Sequence, residues 1–71
     1  MEKIMQLTYN ADTDRIELDG YGLHCGDGLD VLVIKNGQPE WVRTRIEYGD
    51  EWYLIGLPGI QVNGLFAKCE A

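Results

Sequence analysis

The residues best suited to chemistry lie together in the stretch "LHCGDGLDV" at positions 23–31. It holds the only histidine of the chain, His24, beside one of its two cysteines, Cys25. Nucleophilic catalysis by a thiol requires an imidazole within reach of the sulfur and a third group that orients the ring. Adjacent side chains of an extended chain point to opposite sides, so this pair does not form such an arrangement easily. The sequence therefore predicts no catalytic residue and indicates that the protein is not an enzyme.

The same stretch offers too few ligands for a metal ion. Cys69 can approach Cys25 if the last strand pairs nearby, giving a redox pair or, with His24, part of a metal site. A structural zinc ion takes four ligands at short paired spacings, and two thiols and one imidazole fall short of four. Only a site shared between two chains is left open. We expect no metal and no cofactor, with Leu23 and Cys25 facing the core and His24 facing solvent.

The glycines of "CGDGLD" suggest a ligand-binding loop, but two common kinds are excluded. A phosphate-binding P-loop needs a lysine followed by serine or threonine at the start of a helix, and both are absent here. A calcium loop needs a glutamate at its twelfth position, and counting from Asp27 gives Gln38. Gly26 and Gly28 instead suit a turn at the entry to a strand, because glycine relaxes the limits on φ. There the Asp27 carboxylate is expected to accept backbone N–H groups.

The strongest candidate binding patch lies in "EWVRTRIEY", where Trp41, Arg43 and Arg45 share a strand face with Glu47. Aromatic and arginine side chains dominate the hot spots of protein interfaces, so this face predicts a protein partner. The same residues suit stacking on single-stranded nucleic acid with arginine contacts to phosphate. The alternative without function is a solvated face on which Arg43 or Arg45 pairs with Glu47 across strands.

Two tyrosines extend this candidate surface. Tyr21 and Tyr53 are predicted to contact the same partner, with Tyr53 at the rim of any groove, while Trp52 is assigned to the core. As with Trp41, each has a structural interpretation as well, because strand aromatics commonly pack against their neighbours.

A second candidate surface is acidic and lies on the first predicted hairpin. Such a run of charges is usually a solvated face. Alternatively, a negative ridge imitates nucleic acid and inhibits an enzyme that acts on it. The residues concerned are Asp12, Asp14, Glu17 and Asp19.

The elements that must position these residues are predicted to be short β-strands. Apolar residues recur in alternating segments separated by turn residues every eight to twelve positions, which is typical of all-β domains. "KIMQLTY" places Met5, Leu7 and Tyr9 on one face, and "RIELD" places Ile16 and Leu18 on one face. The turn residues "NADTD" between them predict a hairpin.

The remaining segments follow the same rhythm. "LDVLVI" predicts a strand with Leu29, Val31 and Val33 on one face, and "KNGQP" predicts the tight Asn-Gly turn that follows it. Pro39 is expected at an edge or just outside the ladder because it has no N–H group. "WYLIG" predicts another short strand, whereas "GYGLHCGDG" is too rich in glycine for a regular element. "IQVNGLFAKC" predicts either a second Asn-Gly hairpin or a helical turn before a last strand over 65–69.

The fold class follows from these strands. No segment keeps apolar residues at helical spacing for three turns, so no long helix is predicted. Five or six short strands must then bury a core without helices to cover it, and closure into a small antiparallel barrel removes their exposed edges. With 71 residues, the chain is predicted to be a single small β-barrel domain over 1–71.

Charge and composition exclude several function classes. The net charge of −6 disfavours generic binding to nucleic acid or to an anionic membrane. The start "MEKIMQLTYN" has no signal-peptide pattern, and no apolar run is long enough to span a bilayer. We therefore expect a cytoplasmic protein with reduced thiols and no membrane partner.

The order of these motifs resembles a known barrel. "CGDGLDVLV", "EWVRTRIEY" and "EWYLIGL" look like the central meander of Src-homology-3-like barrels. More narrowly, Tyr9, Arg15, "GYGLHCGD", "TRIEY" and "WYLIGL" resemble the domain-of-unknown-function family 5348, over roughly residues 7 to 58. The resemblance implies a short protein of Gram-positive bacteria, their phages or conjugative elements, and it brings no established activity. The hairpin "VIKNGQPEW" is longer than the usual turn of the family, and the tail "IQVNGLFAKCEA" matches only loosely.

The functional expectation is a non-enzymatic interaction module that binds a protein through the face of Trp41, Arg43 and Arg45. One alternative is an acidic inhibitor, of the kind carried by phages or mobile elements, that mimics nucleic acid through the first hairpin. The other alternative is a weak binder of single-stranded nucleic acid. The sequence does not identify the partner or the oligomeric state.

Overall fold

Eight β-strands in two antiparallel sheets make up the protein, as seen in a computed structural model that describes residues 2–70. The five-stranded sheet has the order β1-β8-β5-β6-β7, and the three-stranded sheet has the order β2-β3-β4. Residues 2–70 contain no helix, so none that could cross a membrane is present among them. The strands are β1 (Glu2–Gln6), β2 (Thr8–Asn10), β3 (Arg15–Leu18), β4 (Tyr21–Gly22), β5 (Gly28–Lys35), β6 (Gln38–Tyr48), β7 (Trp52–Leu54) and β8 (Phe66–Glu70).

The all-β class is confirmed, and the strands are more numerous than the five or six predicted. Two features account for the difference. A break at Leu7 divides the first predicted strand into β1 and β2, which belong to different sheets. The glycine-rich stretch, for which no regular element was predicted, contributes the two-residue strand β4, which pairs with the end of β3.

Both predicted hairpins form. β2 and β3 pair around the turn at 11–14. β5 and β6 pair around Asn36 and Gly37, whose φ values of 51° and 77° are those of the tight turn that Asn-Gly favours. Pro39 lies near the start of β6, where this strand has β5 as its neighbour and has not yet reached β7. The expectation of an edge position for this proline is confirmed.

The last third of the chain takes a course that the sequence did not predict. Asn63 and Gly64 form a turn, but neither a hairpin nor a helical turn follows from it. Instead the Gly64 N–H donates to the Leu7 carbonyl at 2.8 Å, and the Leu7 N–H donates to the Leu65 carbonyl at 2.7 Å. The chain then enters β8, which lies between β1 and β5. The last strand is therefore confirmed, but its partners come from distant parts of the chain.

One hydrophobic cluster lies between the two sheets. The predicted inward face of β5 is buried, and so are Leu7, Ile16 and Leu18 of the first hairpin, because alternate strand residues point to the same side. Met5 is only partly buried and Tyr9 is exposed, so the prediction that they share the buried face of Leu7 is wrong for Tyr9. Partly buried residues pack around this cluster, among them Trp52 and Cys69. Its buried members are Leu7, Ile16, Leu18, Leu23, Leu29, Val31, Val33, Ile46, Leu54, Leu57, Val62 and Ala67.

Candidate functional site

The stretch that holds His24 forms a turn anchored to β6. The His24 N–H donates to the Asp27 carboxylate at 2.8 Å, which confirms the expected role of this aspartate. The Gly26 N–H donates to the carbonyl of Ile46 at 2.8 Å, and the Ile46 N–H donates to the carbonyl of Asp27 at 3.0 Å. Gly26 has a φ of 91°, which an L side chain rarely adopts. These contacts fix the turn as the entry to β5.

Within the described residues, the two reactive side chains of this turn, His24 and Cys25, are not surrounded by a set of catalytic or metal-binding partners. His24 is exposed, as expected, and Leu23 is buried. Cys25 is exposed, so the prediction that it faces the core is wrong: residues 23–27 are not a strand, and alternation does not apply there. Cys25 and Cys69 are both free thiols. Within residues 2–70, no group of three or more His, Cys, Asp or Glu residues is placed to hold a metal ion.

Trp41 lies at the centre of a mixed surface that we call the outer face: the side chains of the five-stranded sheet that point away from the core. Leu32 pairs with Trp41 across β5 and β6. The register between β5 and β8, continued by one residue, places Phe66 on the other side of Leu32. A row of Phe66, Leu32 and Trp41 thus crosses three strands. Ile4 and Ile34 border it, with exposed fractions of 56% and 68%.

The charged residues of the outer face are paired with one another. In the row next to Trp41, Lys68 and Arg43 both pair with Asp30 in the sheet register. The Arg43 Nη1 lies 3.7 Å from the Asp30 Oδ2, and the Lys68 Nζ lies 4.7 Å from the centre of the Trp41 ring. The Arg45 Nε donates to Glu47 at 3.2 Å. This last contact runs along β6 and not across strands, because residues two apart in a strand share a face.

Gly28 has a role that the sequence did not indicate. Its φ is not in the positive range, so backbone freedom is not the reason for glycine at this position. A Cβ built on Gly28 would lie 2.6 Å from the Nη2 of Arg43. The absence of a side chain at Gly28 therefore leaves room for the Arg43 guanidinium to lie close to the β5 backbone.

The two tyrosines predicted to extend this surface are separated by the fold. Tyr53 pairs with Glu47 in the register of β6 and β7, so it continues the outer face at its far end. Tyr21 lies on β4 in the three-stranded sheet, with its ring centre 6.0 Å from that of His24. The structure brings Trp41, Arg43 and Arg45 together on one strand face and does not add Tyr21 to them.

Most acidic residues of the first hairpin contact other residues of the same chain, although the aspartates are exposed. The Tyr9 hydroxyl donates to the Asp14 carboxylate at 2.5 Å, and the Asn10 side chain donates to Glu17 at 3.0 Å. Asp19 forms an ion pair with Lys3 at 2.9 Å. Asp14 and Asp19 also have φ values of 55° and 54°, a backbone region that aspartate tolerates better than most residues. Asp12 lies in the same turn.

A cleft of about 760 Å³ lies where the first hairpin meets the turn between β6 and β7 and the segment 59–63. We call it the aromatic cleft. Four aromatic side chains line it, and so do three carboxylates. The aromatic residues are Tyr9, Tyr48, Trp52 and Tyr53, and the acidic residues are Asp14, Asp50 and Glu51.

Hydrogen bonds and ring contacts fix one wall of the cleft. The indole N–H of Trp52 donates to the Asp14 carbonyl at 3.0 Å, which ties β7 to the first hairpin. The Tyr48 and Trp52 rings meet edge to face with centres 4.8 Å apart. The hydrogen bond from Tyr9 to Asp14 raises the pKa of the Tyr9 phenol, with smaller contributions from burial and from the negative charge of the same carboxylate. Tyr9 therefore acts as a neutral donor over the physiological pH range.

The sequence interpretation named Tyr53 as a rim residue but missed the rest of this cleft. A signal was present in "EYGDEWY", where three acidic and three aromatic residues cluster around a turn. Tyr9 was assigned to the face of Leu7, but the break between β1 and β2 turns it away from the core. The segment 59–63 is brought to the cleft by the long-range contacts of Leu7 and by the Tyr9 N–H, which donates to the Asn63 side chain at 3.1 Å.

Comparison with known proteins identifies the family. A family model described as a domain of unknown function (DUF5348) matches residues 5–68. The chain belongs to this family. It is also similar to a protein from Ruminococcus gnavus whose crystal structure was determined as a structural-genomics target, with 37% identity and a TM-score of 0.72 over 94% of this chain and 100% of the other. No curated protein matches the chain.

Proposed function

We propose that this family member is a non-enzymatic interaction module that binds a protein partner through its outer face. The observation that carries the proposal is the apolar row of Phe66, Leu32 and Trp41, which lies on a face with no covering element among residues 2–70. Contiguous exposed apolar side chains, bordered by polar ones, are typical of interaction sites. Within the row, Phe66 is 47% exposed, and Leu32 and Trp41 are partly buried.

The charges on this face favour a protein over a nucleic acid. Arg43 and Arg45 each have a carboxylate neighbour, at 3.7 and 3.2 Å. Phosphate binding depends on cations that displace counterions, and a paired arginine in a protein of net charge −6 contributes little to it. A mixed surface of aromatic, aliphatic and paired charged residues is suited to a protein interface with a polar rim.

The proposal also includes a Src-homology-3-like strand order, a cytoplasmic location and carriage on phages or conjugative elements. Consecutive antiparallel pairing of β5, β6 and β7 supports a Src-homology-3-like meander. Two free thiols support a cytoplasmic location, where cysteines stay reduced. Carriage on phages or conjugative elements is tested by reading the genes next to this one in several genomes. A gene neighbourhood of ordinary metabolism would argue against it.

The test is affinity capture with immobilised protein, followed by titration of the purified captured partner. The variant Trp41→Ala with Arg43→Ala removes the centre of the outer face and leaves the core residues in place. Circular dichroism confirms that the variant is folded. Tyr21→Ala is the matched control, because it removes an exposed aromatic residue from the other sheet. We expect the double variant to lose the partner and the control to keep it; full binding by the double variant would refute the proposal.

Two further measurements distinguish the proposed function from nucleic-acid binding and from the acidic inhibitor. Quenching of tryptophan fluorescence by a single-stranded oligonucleotide, lost in the Trp41 and Arg43 variant, would favour nucleic-acid binding instead. Binding that is salt-sensitive and lost on charge reversal at Asp12 and Asp19 would favour the acidic inhibitor. Asp14 is omitted from this reversal, because its carboxylate holds Tyr9 and its carbonyl holds Trp52.

A further inference from the structure

The aromatic cleft has a charge pattern unlike that of the outer face. Three carboxylates line it, and none of the six cationic side chains of the chain does. Four of them form ion pairs, and Lys68 lies over Trp41. Arg15 lines the neighbouring shallow hollow and donates to the Leu23 carbonyl at 3.0 Å. Among the ion pairs of the described side chains, none involves Asp50 or Glu51. The cleft is thus negative and has no internal counter-charge.

The aromatic rings of the cleft point to the same ligand chemistry. The faces of tyrosine and tryptophan rings attract cations, and the attraction grows when water is excluded. The protein already uses this contact once, with Lys68 over Trp41. Tyr48 and Tyr53 are about half exposed in the cleft, at 46% and 43%. Rings beside carboxylates make a site for an arginine or lysine side chain.

The size and position of the cleft indicate more than a single cation. A volume of about 760 Å³ is within the range of pockets that hold drug-sized ligands, which are larger than one cationic group. Trp52 and Tyr53 belong to β7, which is the last strand of its sheet and pairs only with β6 within residues 2–70. An edge strand offers unpaired backbone N–H and C=O groups to an extended chain. An extended peptide can therefore use the edge of β7 while its side chains enter the cleft.

We propose that the aromatic cleft binds a basic extended peptide segment of a partner protein, with an arginine or lysine side chain held between its tyrosine rings and carboxylates. This site shares Tyr53 with the far end of the outer face, but its carboxylates and Trp52 lie outside that face, and it does not depend on the function proposed there. Nucleic acid is not the occupant, because the three carboxylates would repel its phosphates.

The experiment uses the full chain with Trp41→Phe, so that the fluorescence of Trp52 alone reports the cleft. Three blocked pentapeptides serve as probes: Gly-Arg-Gly-Arg-Gly, its glutamine counterpart and its glutamate counterpart. We expect saturable quenching by the arginine peptide and at least about tenfold weaker binding of the other two, as loss of two exposed charge and ring contacts would produce. Equal binding of the glutamine peptide would overturn the proposal.

Matched variants inside and outside the cleft test whether the peptide binds there. Asp50→Asn with Glu51→Gln should weaken binding of the arginine peptide about tenfold, whereas Asp12→Asn with Glu40→Gln, which makes the same change in net charge outside the cleft, should not. Tyr53→Leu should weaken binding several-fold, and Tyr21→Leu should not. Equal effects of the two charge variants would show general attraction to an acidic protein and would overturn the proposed site. Arg43→Ala should bind the peptide normally, so failure here is distinguishable from failure of the outer-face proposal.

Discussion

The outer face covers Trp41 with a lysine and gives each of its arginines a carboxylate, whereas the aromatic cleft sets Trp52 beside carboxylates without a cation. Both surfaces contain a tryptophan on a strand of the same sheet. Trp41 packs on the outside of the sheet, and Trp52 packs against the hydrophobic core. On the outer face, therefore, the charged side chains are paired with one another, and apolar side chains are left accessible to a partner. The cleft shows the opposite combination. Hydrogen bonds and ring contacts hold its aromatic side chains in place, and its carboxylates have no cation beside them.

The two proposals assign a different kind of recognition to each surface. Apolar area on a flat sheet face favours a folded partner, because affinity there comes from excluding water over a large contact. An unbalanced charge in a concave site favours a ligand of opposite charge and steers it by long-range attraction. The two sites are distinguishable by variants that leave the other one intact.

The largest expected effect separates the two tryptophans by their contribution to stability. Trp52→Ala removes packing against the core and the hydrogen bond to Asp14, and should lower the free energy of unfolding by about 3 kcal/mol. Trp41→Ala removes cross-strand and cation–π contacts on the outer face, and should cost about 1 kcal/mol. Urea denaturation followed by circular dichroism measures both.

A conservative variant separates the two parts of the Trp52 effect. Trp52→Phe keeps a ring against the core and loses only the indole donor, so we expect a cost of about 1 kcal/mol. If Trp41→Ala were as destabilising as Trp52→Ala, the division into an anchored cleft and an open outer face would be wrong.

The parts of this division that local sequence determines were predictable, and the parts that depend on distant pairing were not. The buried alternation of Leu29, Val31 and Val33 and the Asn36–Gly37 turn depend on neighbours within a few residues, and both were predicted. The same holds for Trp41, whose place on β6 follows from the alternation alone.

The cleft depends on contacts across most of the chain. Tyr9 and the segment 59–63 meet because Leu7 pairs with Gly64 and Leu65, and Trp52 reaches Asp14 across 38 positions. No local pattern specifies such pairings. The exposure of Cys25 was missed for a related reason, since it follows from a turn held by Ile46 rather than from strand alternation.

The charge of the cleft should be measurable at Cys25, which lines a shallow hollow with Asp14, Arg15, Tyr48 and Trp52. The guanidinium of Arg15, the cation of this hollow, is held by the Leu23 carbonyl. In a Cys69→Ser background, a thiosulfonate reagent with a trimethylammonium group should modify Cys25 several-fold faster than the sulfonate analogue, because nearby carboxylates attract cations. Mass spectrometry of timed samples gives both rates.

The same two charge variants serve as controls for this rate ratio. Asp50→Asn with Glu51→Gln should reduce the ratio, and Asp12→Asn with Glu40→Gln should reduce it less. A ratio that falls equally in both variants would show that the total charge of −6 governs the reaction and that the cleft has no field of its own.

A smaller effect is expected in the titration of Tyr9. Its pKa is raised because its hydroxyl donates to the Asp14 carboxylate, so the folded state favours the neutral phenol. The contribution of this contact to stability is present below the pKa of an unfolded tyrosine, about 10, and is lost as pH rises through the higher pKa of the folded state. Asp14→Asn should lower the pKa of Tyr9, measured by the ultraviolet absorbance of tyrosinate. Asp12→Asn should leave the titration unchanged, and a shift of equal size there would assign the effect to general charge.

The smallest expected effect tests whether the outer face is truly balanced in charge. Asp30 and Arg43 face each other across β5 and β6 at 3.7 Å, and the arginine is largely exposed. A double-mutant cycle with Asp30→Asn and Arg43→Gln should give a coupling of about 0.5 kcal/mol that decreases with added salt. Asp50→Asn with Glu51→Gln should leave stability unchanged or slightly raised, because those carboxylates form no ion pair with a described side chain. A coupling of zero at low salt would mean that Arg43 is free to meet a partner. The contrast between the two surfaces would then depend on their apolar and aromatic residues alone.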